Sequence, residues 1–378
     1  MSSPQLIAWK WLRNGDEAFP ALLAALDAAG ETIRLETYIF ANDSLGRRFR
    51  DALVRARQRG VAVNVLVDAV GSMELPGDFW SPLTAAGAAV RVFNPLALSR
   101  FAIRDHRKLL VCDARVGFVG GFNIATEYEG DGVTRGWLDL GLQIEGPLAL
   151  ALADAFDKMF AQADFRHKRP LRWRRGLRRH TVLSAGEQLL LGGPGLGRNP
   201  IRRALRTDLA SARVVQVMAA YFLPPRSLRR DFARAARRGG TVQFVLAGKS
   251  DVAFSQLAAR SLYQRLLKSG AEIYEYGPQV LHAKLILVDN AVYVGSANLD
   301  PRSLGINYEL MLRLTDPALV AEARVIFRAA QAQGRRIEVA EWKTARSFWT
   351  RLRERWAYFV LARVDPHVAQ RQWRSLPE

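Results

Sequence analysis

An internal duplication is the feature of this sequence that most restricts its possible folds. The stretch 104–123 reads RDHRKLLVCDARVGFVGGFN, and the stretch 280–300 reads VLHAKLILVDNAVYVGSANLD. Each contains His-x-Lys with an aspartate seven residues after the histidine, then a short turn, an apolar segment, a pair of small residues and an asparagine. Such self-similarity predicts two copies of one structural unit.

The elements around the two stretches follow the same order. Each half begins with helix, strand, helix and strand, and each motif is followed by one more strand and by a helix that starts near Pro147 or Pro317. The predicted elements are 16–30, 32–40, 44–60 and 61–69 in the first half and 199–212, 213–222, 227–240 and 241–248 in the second. This order predicts an α/β fold of two duplicated α/β/α sandwich domains with mixed sheets, related by a pseudo-twofold axis.

Periodicity and charge divide the chain into four segments. Hydrophobic periodicity fails in a basic stretch between the two halves, and a tail rich in arginine and aromatic residues begins near Gly334. We therefore expect a first domain, a basic linker, a second domain and a helical C-terminal tail. Their predicted bounds are 1–165, 166–188, 189–335 and 336–378.

Composition narrows the chemistry that the chain can perform. The single cysteine, Cys112, excludes an internal disulfide framework and a multi-cysteine metal site. The formal net charge of +19 favours a polyanionic partner, either nucleic acid or an anionic membrane surface. No segment has the roughly 20 apolar residues of a spanning helix, and the start lacks a secretory signal, so we expect a soluble or peripheral chain.

The two His-x-Lys pairs are the candidate catalytic groups. A solvated strand end would explain one such pair, but the chain has only five histidines and the pattern occurs twice. Residues i and i+2 of a strand share a face, so His106 with Lys108, and His282 with Lys284, would point into one shared space. Two imidazoles and two ammonium groups suit a phosphate diester: one ring attacks phosphorus, the other protonates the leaving oxygen, and the lysines neutralise charge.

The carboxylates near the motifs have different predicted roles. Asp139 and Glu309 open the strands after the two motifs, and we expect one carboxylate behind each histidine ring to fix its tautomer. Asp113 and Asp289 lie at the far end of the motif strands, and we assign them a structural turn role. Glu127 has no acidic counterpart in the second half and is left out of the catalytic set.

The duplicated His-x-Lys-x4-Asp motif with its trailing Gly-Gly or Gly-Ser and asparagine resembles the phospholipase D superfamily over about residues 5–335. The stretches LETYIF, HRKLLVCDARVGFVGGFNIATEY, AYFLPPRSLRRDFARAARRG and LHAKLILVDNAVYVGSANLDPRSLGINYEL resemble bacterial cardiolipin synthases that lack N-terminal membrane helices. The resemblance implies a phosphatidyl-histidine intermediate with no metal and no cofactor. It gives the nucleophile to His106 and the general acid to His282, an order that the pseudo-symmetry leaves open.

Residues that bind substrate are predicted from their places in the sequence relative to the two motifs. Asn123, Asn298 and Ser296 trail the motifs, and Tyr38 and Tyr221 end matching strands at the pocket mouth; we assign these five residues to substrate binding. The unequal gaps from each histidine to its carboxylate, 33 and 27 residues, predict a longer loop in the first half, ATEYEGDGVTRGW.

The resemblance leaves three functions open. We expect a cardiolipin synthase that transfers a phosphatidyl group from phosphatidylglycerol or phosphatidylethanolamine to phosphatidylglycerol, with a phospholipase D hydrolase or a metal-independent nuclease as the alternatives. A non-catalytic polyanion-binding module is a more distant fourth reading. The expected partners are phospholipids and an anionic membrane surface on the cytoplasmic face of the bacterial inner membrane, rather than nucleic acid stacked on Trp173.

The tail can be interpreted in two ways. Its aromatic residues alternate with arginines at helical spacing, as in interfacial segments, or they form an ordinary helix packed on the second domain. The aromatic residues concerned are Phe348, Trp349, Trp356, Tyr358 and Phe359.

Overall fold

Two mixed β-sheets, one from each half of the chain, form the framework of the protein. The structure is a computed structural model and describes residues 8–95, 102–163, 180–182, 186–194, 199–344 and 346–366. Most of the predicted basic linker, including Trp173, lies outside the described residues.

Within its described residues, the first half supplies seven strands and four α-helices. The strands are β1 (Ala8–Leu12), β2 (Thr32–Thr37), β3 (Ala62–Asp68), β4 (Ala89–Phe93), β5 (Leu109–Cys112), β6 (Val116–Gly120) and β7 (Gly141–Glu145). The helices are α1 (Gly15–Ala28), α2 (Ser44–Gln58), α3 (Ser81–Ala85) and α4 (Pro147–Ala161), with a 3₁₀ turn at Thr126–Tyr128.

The second half repeats this series and adds to it. Its strands are β8 (His180–Val182), β9 (Glu187–Gly192), β10 (Val214–Ala219), β11 (Thr241–Ala247), β12 (Glu272–Tyr276), β13 (Lys284–Val288), β14 (Ala291–Gly295), β15 (Glu309–Leu314) and β16 (Gly334–Arg336). Its helices are α5 (Pro200–Leu209), α6 (Arg226–Arg237), α7 (Ala253–Leu267), α8 (Pro317–Ala332), α9 (Val339–Thr344) and α10 (Phe348–Phe359), followed by a π-helical turn at Val360–Val364.

The strand orders of the two sheets are equivalent. The first sheet runs β1-β7-β6-β5-β2-β3-β4, and the second runs β16-β12-β11-β10-β13-β14-β15-β9-β8. In each sheet three strands are parallel, β2-β3-β4 or β10-β11-β12, and the motif strand joins them antiparallel. The duplicated α/β architecture predicted from the sequence is confirmed, with β8 and β16 as additions to the second copy.

One apolar core joins the two halves. Side chains from both sheets pack with α4 and α8 in a single buried cluster that includes Leu142, Leu152, Leu310 and Leu319. Two further cores lie on the outer faces, one under α1 to α3 and one under α5 to α7. Each sheet is therefore covered on both faces, which is the layered arrangement that α/β units adopt.

Several strands and helices end before the last residue predicted from hydrophobic periodicity. The strand predicted over 32–40 stops at Thr37, because the backbone N–H of Phe40 donates to Ser72 Oγ at 2.9 Å and only an isolated bridge joins Phe40 to Ile124. At the C-terminal side, β16 pairs with β12, so the start of the predicted tail belongs to the second sheet.

Candidate active site

The backbone before each motif strand is bonded to the opposite half of the chain. His106 N donates to Tyr308 O at 3.0 Å, and Tyr308 N donates to Arg104 O at 2.9 Å. In the same way His282 N donates to Leu138 O at 2.8 Å, and Leu138 N donates to Val280 O at 2.9 Å. These reciprocal bonds bring the two motifs together at the junction of the halves.

Each histidine ring faces a carboxylate from the other half. His106 Nδ1 lies 3.0 Å from Glu309 Oε1, and His282 Nδ1 lies 2.6 Å from Asp139 Oδ2. Because each Nδ1 faces a carboxylate, we assign the proton of each neutral ring to Nδ1, which leaves the lone pair on Nε2. The sequence predicts a carboxylate behind each ring but does not reveal that the pairs cross between halves.

The two carboxylates hold different positions relative to their strands. Glu309 is the first residue of β15, as the sequence predicts. Asp139 does not open a strand: β7 begins two residues later, at Gly141.

Both lysines are buried beside their histidines. Lys108 Nζ donates to His106 O at 2.8 Å. Lys284 Nζ lies 2.9 Å from His282 Nδ1 and 3.3 Å from Nε2, and it also donates to His282 O. Burial lowers the pKa of Lys108 to about 7 and also lowers the pKa of Lys284, since an ammonium group loses hydration in the interior.

The histidines and Glu309 are held close to neutral by burial. Desolvation lowers the pKa of His106 well below its ordinary value, and the charges of Lys108 and Lys284 add to the effect. The pKa of His282 is also lowered by desolvation, but the charge of Asp139 opposes that shift. Desolvation raises the pKa of Glu309 to about 8. The site is thus short of negative charge, and a bound anion would offset this deficit.

The small residue before each asparagine makes room for a carboxylate. A side chain at Gly121 would place its Cβ 2.1 Å from Asp139 Oδ1, so only glycine fits there. At the equivalent position Ser296 Oγ donates to Glu309 Oε2 at 2.5 Å and accepts from Leu310 N at 3.0 Å. Ser296, predicted to bind substrate, is therefore placed to orient Glu309.

The two trailing asparagines have different surroundings. Asn123 is buried; its Oδ1 accepts from Ile39 N at 3.1 Å, and its Nδ2 donates to the Tyr128 hydroxyl at 2.6 Å. Asn298 is also buried, and its Oδ1 has no hydrogen-bond partner within the described part of the chain. Of the two, Asn298 has the polar atom that remains free for a ligand.

The motif aspartates lie away from the rings, at turns after their strands. The Asp113 carboxylate accepts from the backbone N–H groups of Gly30, Glu31 and Thr32 at 2.8–3.0 Å. Asp289 accepts from Arg213 N at 3.0 Å and from Val214 N at 2.8 Å. Both aspartates have positive φ, 54° and 47°. Their bonds fix the start of the neighbouring strand, which supports a structural role.

Aromatic rings surround both histidines. The Tyr38 ring lies 5.0 Å from the His106 ring, and the Tyr221 ring lies 6.4 Å from the His282 ring, centroid to centroid. Tyr221 donates its hydroxyl to Asp251 Oδ2 at 2.5 Å. Phe40 and Phe222, which follow them, are fully buried core residues.

The longer first-half loop contributes two residues that sequence reasoning missed. Tyr128 has its hydroxyl 3.5 Å from His282 Nε2, and the Trp137 ring lies 5.7 Å from the His282 ring. Both rings come from the loop between Asn123 and Asp139. The unequal spacing signalled the loop, but nothing in the sequence showed that it crosses to the other half.

A buried ionic network behind His106 was also missed. Arg107 Nε lies 3.0 Å from Glu36 Oε1, Arg104 Nη1 lies 3.4 Å from Asp68 Oδ1, and Asp68 Oδ2 accepts from Asp105 N at 2.9 Å. The positions of Glu36 and Arg107 are occupied by Met218 and Ala283 in the second half. The charged residues Glu36 in LETYIF and Arg107 in RDHRK indicated that the first half has ionic groups where the second half has none.

The described residues form neither a metal-binding cluster nor a membrane-spanning helix. Within the ranges that the structure describes, no group of three or more His, Cys, Asp and Glu side chains is arranged to hold a metal ion. No helix in those ranges is both long enough and apolar enough to cross a bilayer.

Comparison with known sequences relates this site to one enzyme family. The family described as "Cardiolipin synthase, PLD-like domain" matches residues 22–163 and 205–330. "Cardiolipin synthase B" of Salmonella typhimurium is 36% identical over 317 residues, which cover 81% of this chain and 76% of that protein. "Cardiolipin synthase 1" of Bacillus cereus is 32% identical over 331 residues, or 83% of this chain and 64% of that protein.

Solved structures with the same fold are more distant in sequence. Phosphatidylserine synthase of Haemophilus influenzae aligns with a TM-score of 0.73 at 17% identity, covering 97% of this chain and 96% of that one. Polyphosphate kinase of Porphyromonas gingivalis aligns with a TM-score of 0.61 at 15% identity, covering 88% of this chain and 49% of that one. At these identities the likeness establishes the fold alone.

Proposed function

This chain belongs to the cardiolipin synthase family with PLD-like domains, and on that premise we propose that it transfers a phosphatidyl group from one phospholipid to another to make cardiolipin. The observation that carries the proposal is the crossed arrangement of the site. Two His-Lys pairs, each oriented by a carboxylate of the opposite half, meet at one junction. Such a site has the nucleophile, the acid and the positive charge that exchange at a phosphodiester requires.

His106 is the proposed nucleophile. Its side chain is 11% exposed against 4% for His282, so it is the more accessible of the two rings. Its pKa is lowered well below the ordinary value, which keeps Nε2 unprotonated. In the first step His106 Nε2 forms a bond to phosphorus while the bond from phosphorus to the headgroup oxygen breaks.

His282 is the proposed acid and base. Burial lowers the pKa of this ring, but the Asp139 carboxylate, 2.6 Å from Nδ1, opposes that shift, and a bound phosphate diester adds negative charge beside the ring. An imidazolium Nε2–H can then protonate the departing headgroup oxygen. The neutral ring then takes the proton of an incoming phosphatidylglycerol hydroxyl, whose oxygen attacks phosphorus and releases His106. With phosphatidylglycerol as donor, two molecules yield one cardiolipin and one glycerol; with phosphatidylethanolamine, the released alcohol is ethanolamine.

The lysines are proposed to hold the phosphoryl oxygens. Lys108 and Lys284 are buried, and the loss of hydration lowers the pKa of both. A bound phosphate diester supplies negative charge at short range, so it stabilises both ammonium groups. The same charges stabilise the additional negative charge on the phosphoryl oxygens in the transition state.

Family and charge support the proposed substrates and location. The substrates are phospholipids, and the net charge of +19 favours an anionic bilayer surface. We place the protein on the cytoplasmic face of the bacterial inner membrane, with phosphatidylglycerol as acceptor. Nucleic acid is the less favoured polyanion because the related sequences are cardiolipin synthases.

The proposed reaction can be tested with purified protein and labelled phosphatidylglycerol in mixed micelles. We expect labelled cardiolipin and free glycerol, loss of both products in His106→Ala and His282→Ala, and unchanged turnover in Leu150→Ser, an exposed position on α4. Phosphatidic acid as the sole product would assign a hydrolase instead. Cleavage of DNA without added metal, in place of lipid turnover, would assign a nuclease.

A further inference from the structure

The tail helix α10 has its polar and apolar faces reversed relative to an ordinary surface helix. Phe348, Trp349 and Trp356 are 66%, 68% and 62% exposed, whereas Glu354 is 1% exposed. A helix that packs on a domain buries its large apolar side chains and exposes its charges. Each large apolar side chain left in water forgoes the favourable free energy that its burial would provide.

The exposed apolar residues form one stripe. At about 100° of rotation per residue they fall within an arc of about 100° on the helix surface. We call these residues the apolar stripe: Phe348, Trp349, Leu352, Trp356 and Phe359. By the same rotation per residue, Arg351 and Arg355 lie along one edge of the stripe, and Arg353 lies along the other.

The opposite side of the helix packs against the second domain. Arg229 of α6 donates from Nη2 to the Tyr358 hydroxyl at 2.9 Å, and the buried Glu354 forms an ion pair with Arg346, which lies just before the helix. Ala357 is fully buried in the core that contains α6 and α7. The orientation of α10 is therefore set by contacts that keep the apolar stripe pointing outward.

Asp365, in the described part of the tail, is connected to the segment that precedes the first-half histidine. Arg302 Nε and Nη2 donate to the Asp365 carboxylate at 2.7 and 2.9 Å, and Arg302 Nη1 donates to Ala102 O at 3.2 Å. Ala102 lies four residues before His106, and the charge of Arg302 acts on Tyr38, whose ring contacts His106.

A second connection joins the stripe to the other histidine. The Trp356 ring packs edge-on against Phe254, with centroids 5.8 Å apart. Phe254 lies in the first turn of α7, just after Asp251, which accepts the hydroxyl of Tyr221. Tyr221 is one of the aromatic neighbours of His282. Contacts of the tail, through Asp365 and through Trp356 of the apolar stripe, thus lead to neighbours of both histidines.

We propose that the apolar stripe is the surface by which this protein docks on an anionic phospholipid bilayer, with its aromatic side chains inserted and its bordering arginines on the lipid phosphates. This inference rests on the proposed function, because a lipid donor must reach the site from a bilayer. Large aromatic side chains flanked by arginine are typical of helices that lie in the membrane interface.

A bilayer fits the stripe better than a second copy of the chain. Two copies joined through this stripe would bring the same arginine borders together in a protein that already carries a net charge of +19. An anionic lipid surface instead supplies the opposite charge along both borders.

The test compares vesicle binding of three proteins. They are the wild type, the stripe variant Phe348→Ser/Trp349→Ser/Phe359→Ser, and the control variant Leu150→Ser/Val325→Ser, which removes exposed apolar side chains on α4 and α8. Each is sedimented with phosphatidylcholine vesicles with and without phosphatidylglycerol. We expect the wild type and the control to bind anionic vesicles in a salt-dependent manner, and the stripe variant to bind at least about tenfold more weakly.

Activity on dispersed lipid separates docking from catalysis. On short-chain phosphatidylglycerol below its micelle concentration, the stripe variant is expected to retain wild-type turnover. Equal vesicle binding by wild type and stripe variant would overturn the docking surface, and so would a wild-type dimer that this variant converts to monomer. If the stripe governs vesicle binding but the wild type makes no cardiolipin, the proposed function fails while the docking surface stands.

Discussion

Glu309 of the second half holds the His106 ring of the first half, with 3.0 Å between Oε1 and Nδ1. The reciprocal contact joins Asp139 of the first half to His282 of the second. Each half therefore contributes one histidine and the carboxylate that orients the other histidine. A single half cannot hold a complete His-carboxylate pair, which gives a physical reason for two motifs in one chain.

Removal of either carboxylate should impair its partner in the opposite half. We expect Glu309→Ala and Asp139→Ala each to lower kcat by at least about 100-fold, because the histidine loses its tautomer and orientation. With a donor whose leaving group is p-nitrophenolate, which needs no proton, the Asp139→Ala variant should release the first equivalent almost normally. Glu309→Ala should remain slow in the same burst measurement. Equal bursts in the two variants would contradict the assigned roles.

The pH dependence of kcat/KM should report Lys108. The pKa of this lysine is lowered to about 7, so its charge is lost as pH rises through that value in the free enzyme. We expect kcat/KM for the anionic donor to decline on the alkaline side of about pH 7, since kcat/KM reflects groups of the free enzyme. Lys108→Arg, which stays charged, should shift that decline to higher pH even if its maximal rate is lower. If kcat/KM of wild type and of Lys108→Arg declined at the same alkaline pH, Lys108 would not be the phosphate ligand.

Asp113 should matter for stability and not for chemistry. Its carboxylate accepts three backbone N–H groups at the start of β2, so Asp113→Ala should lower the free energy of unfolding by about 2 kcal/mol. Asp289→Ala is the matched variant in the second half. Both can be measured by urea denaturation beside kcat at a temperature where the variants are folded. A kcat loss as large as that of His106→Ala, with stability unchanged, would move Asp113 into the catalytic set.

The buried Glu309 should limit stability at neutral pH. Its folded pKa of about 8 lies above the unfolded value of 4.5, so folding favours the protonated form. The stability contributed by that proton is therefore lost as pH rises from about 4.5 through 8. Glutamine does not titrate, so the stability of Glu309→Gln lacks this dependence on pH. The difference obtained by subtracting the wild-type Tm from the Tm of the variant should therefore be larger at pH 7.5 than at pH 5.5. The opposite trend in calorimetry would mean that ionised Glu309 is stabilising.

The sequence predicted the architecture well because a duplication is visible without coordinates. His106 and His282, with equal spacing to Lys and Asp, established the repeat, and helix and strand periodicity then predicted both sheets. The position of the small pair was also visible, although its reason, the space that Asp139 needs beside Gly121, required the structure.

Features that cross between the halves could not be predicted. Periodicity describes contacts within an element, whereas the Glu309 to His106 pair depends on how two sheets are docked. The same holds for Tyr128 and Trp137, which reach His282 from a loop of the other half. The network of Glu36 and Arg107 breaks the symmetry of the repeat, so the second half offered no guide to it.

The most direct test of His106 as the nucleophile is to trap the phosphatidyl group in the His282→Ala variant. With phosphatidyl-p-nitrophenol as donor, attack by Nε2 expels nitrophenolate without a proton, while the absence of His282 leaves no base to activate the acceptor. We expect one equivalent of nitrophenolate and, by peptide mass spectrometry, a phosphatidyl adduct on His106. The assignment would be contradicted if the His282→Ala variant carried no adduct on His106 while the converse variant, His106→Ala, carried an adduct on His282.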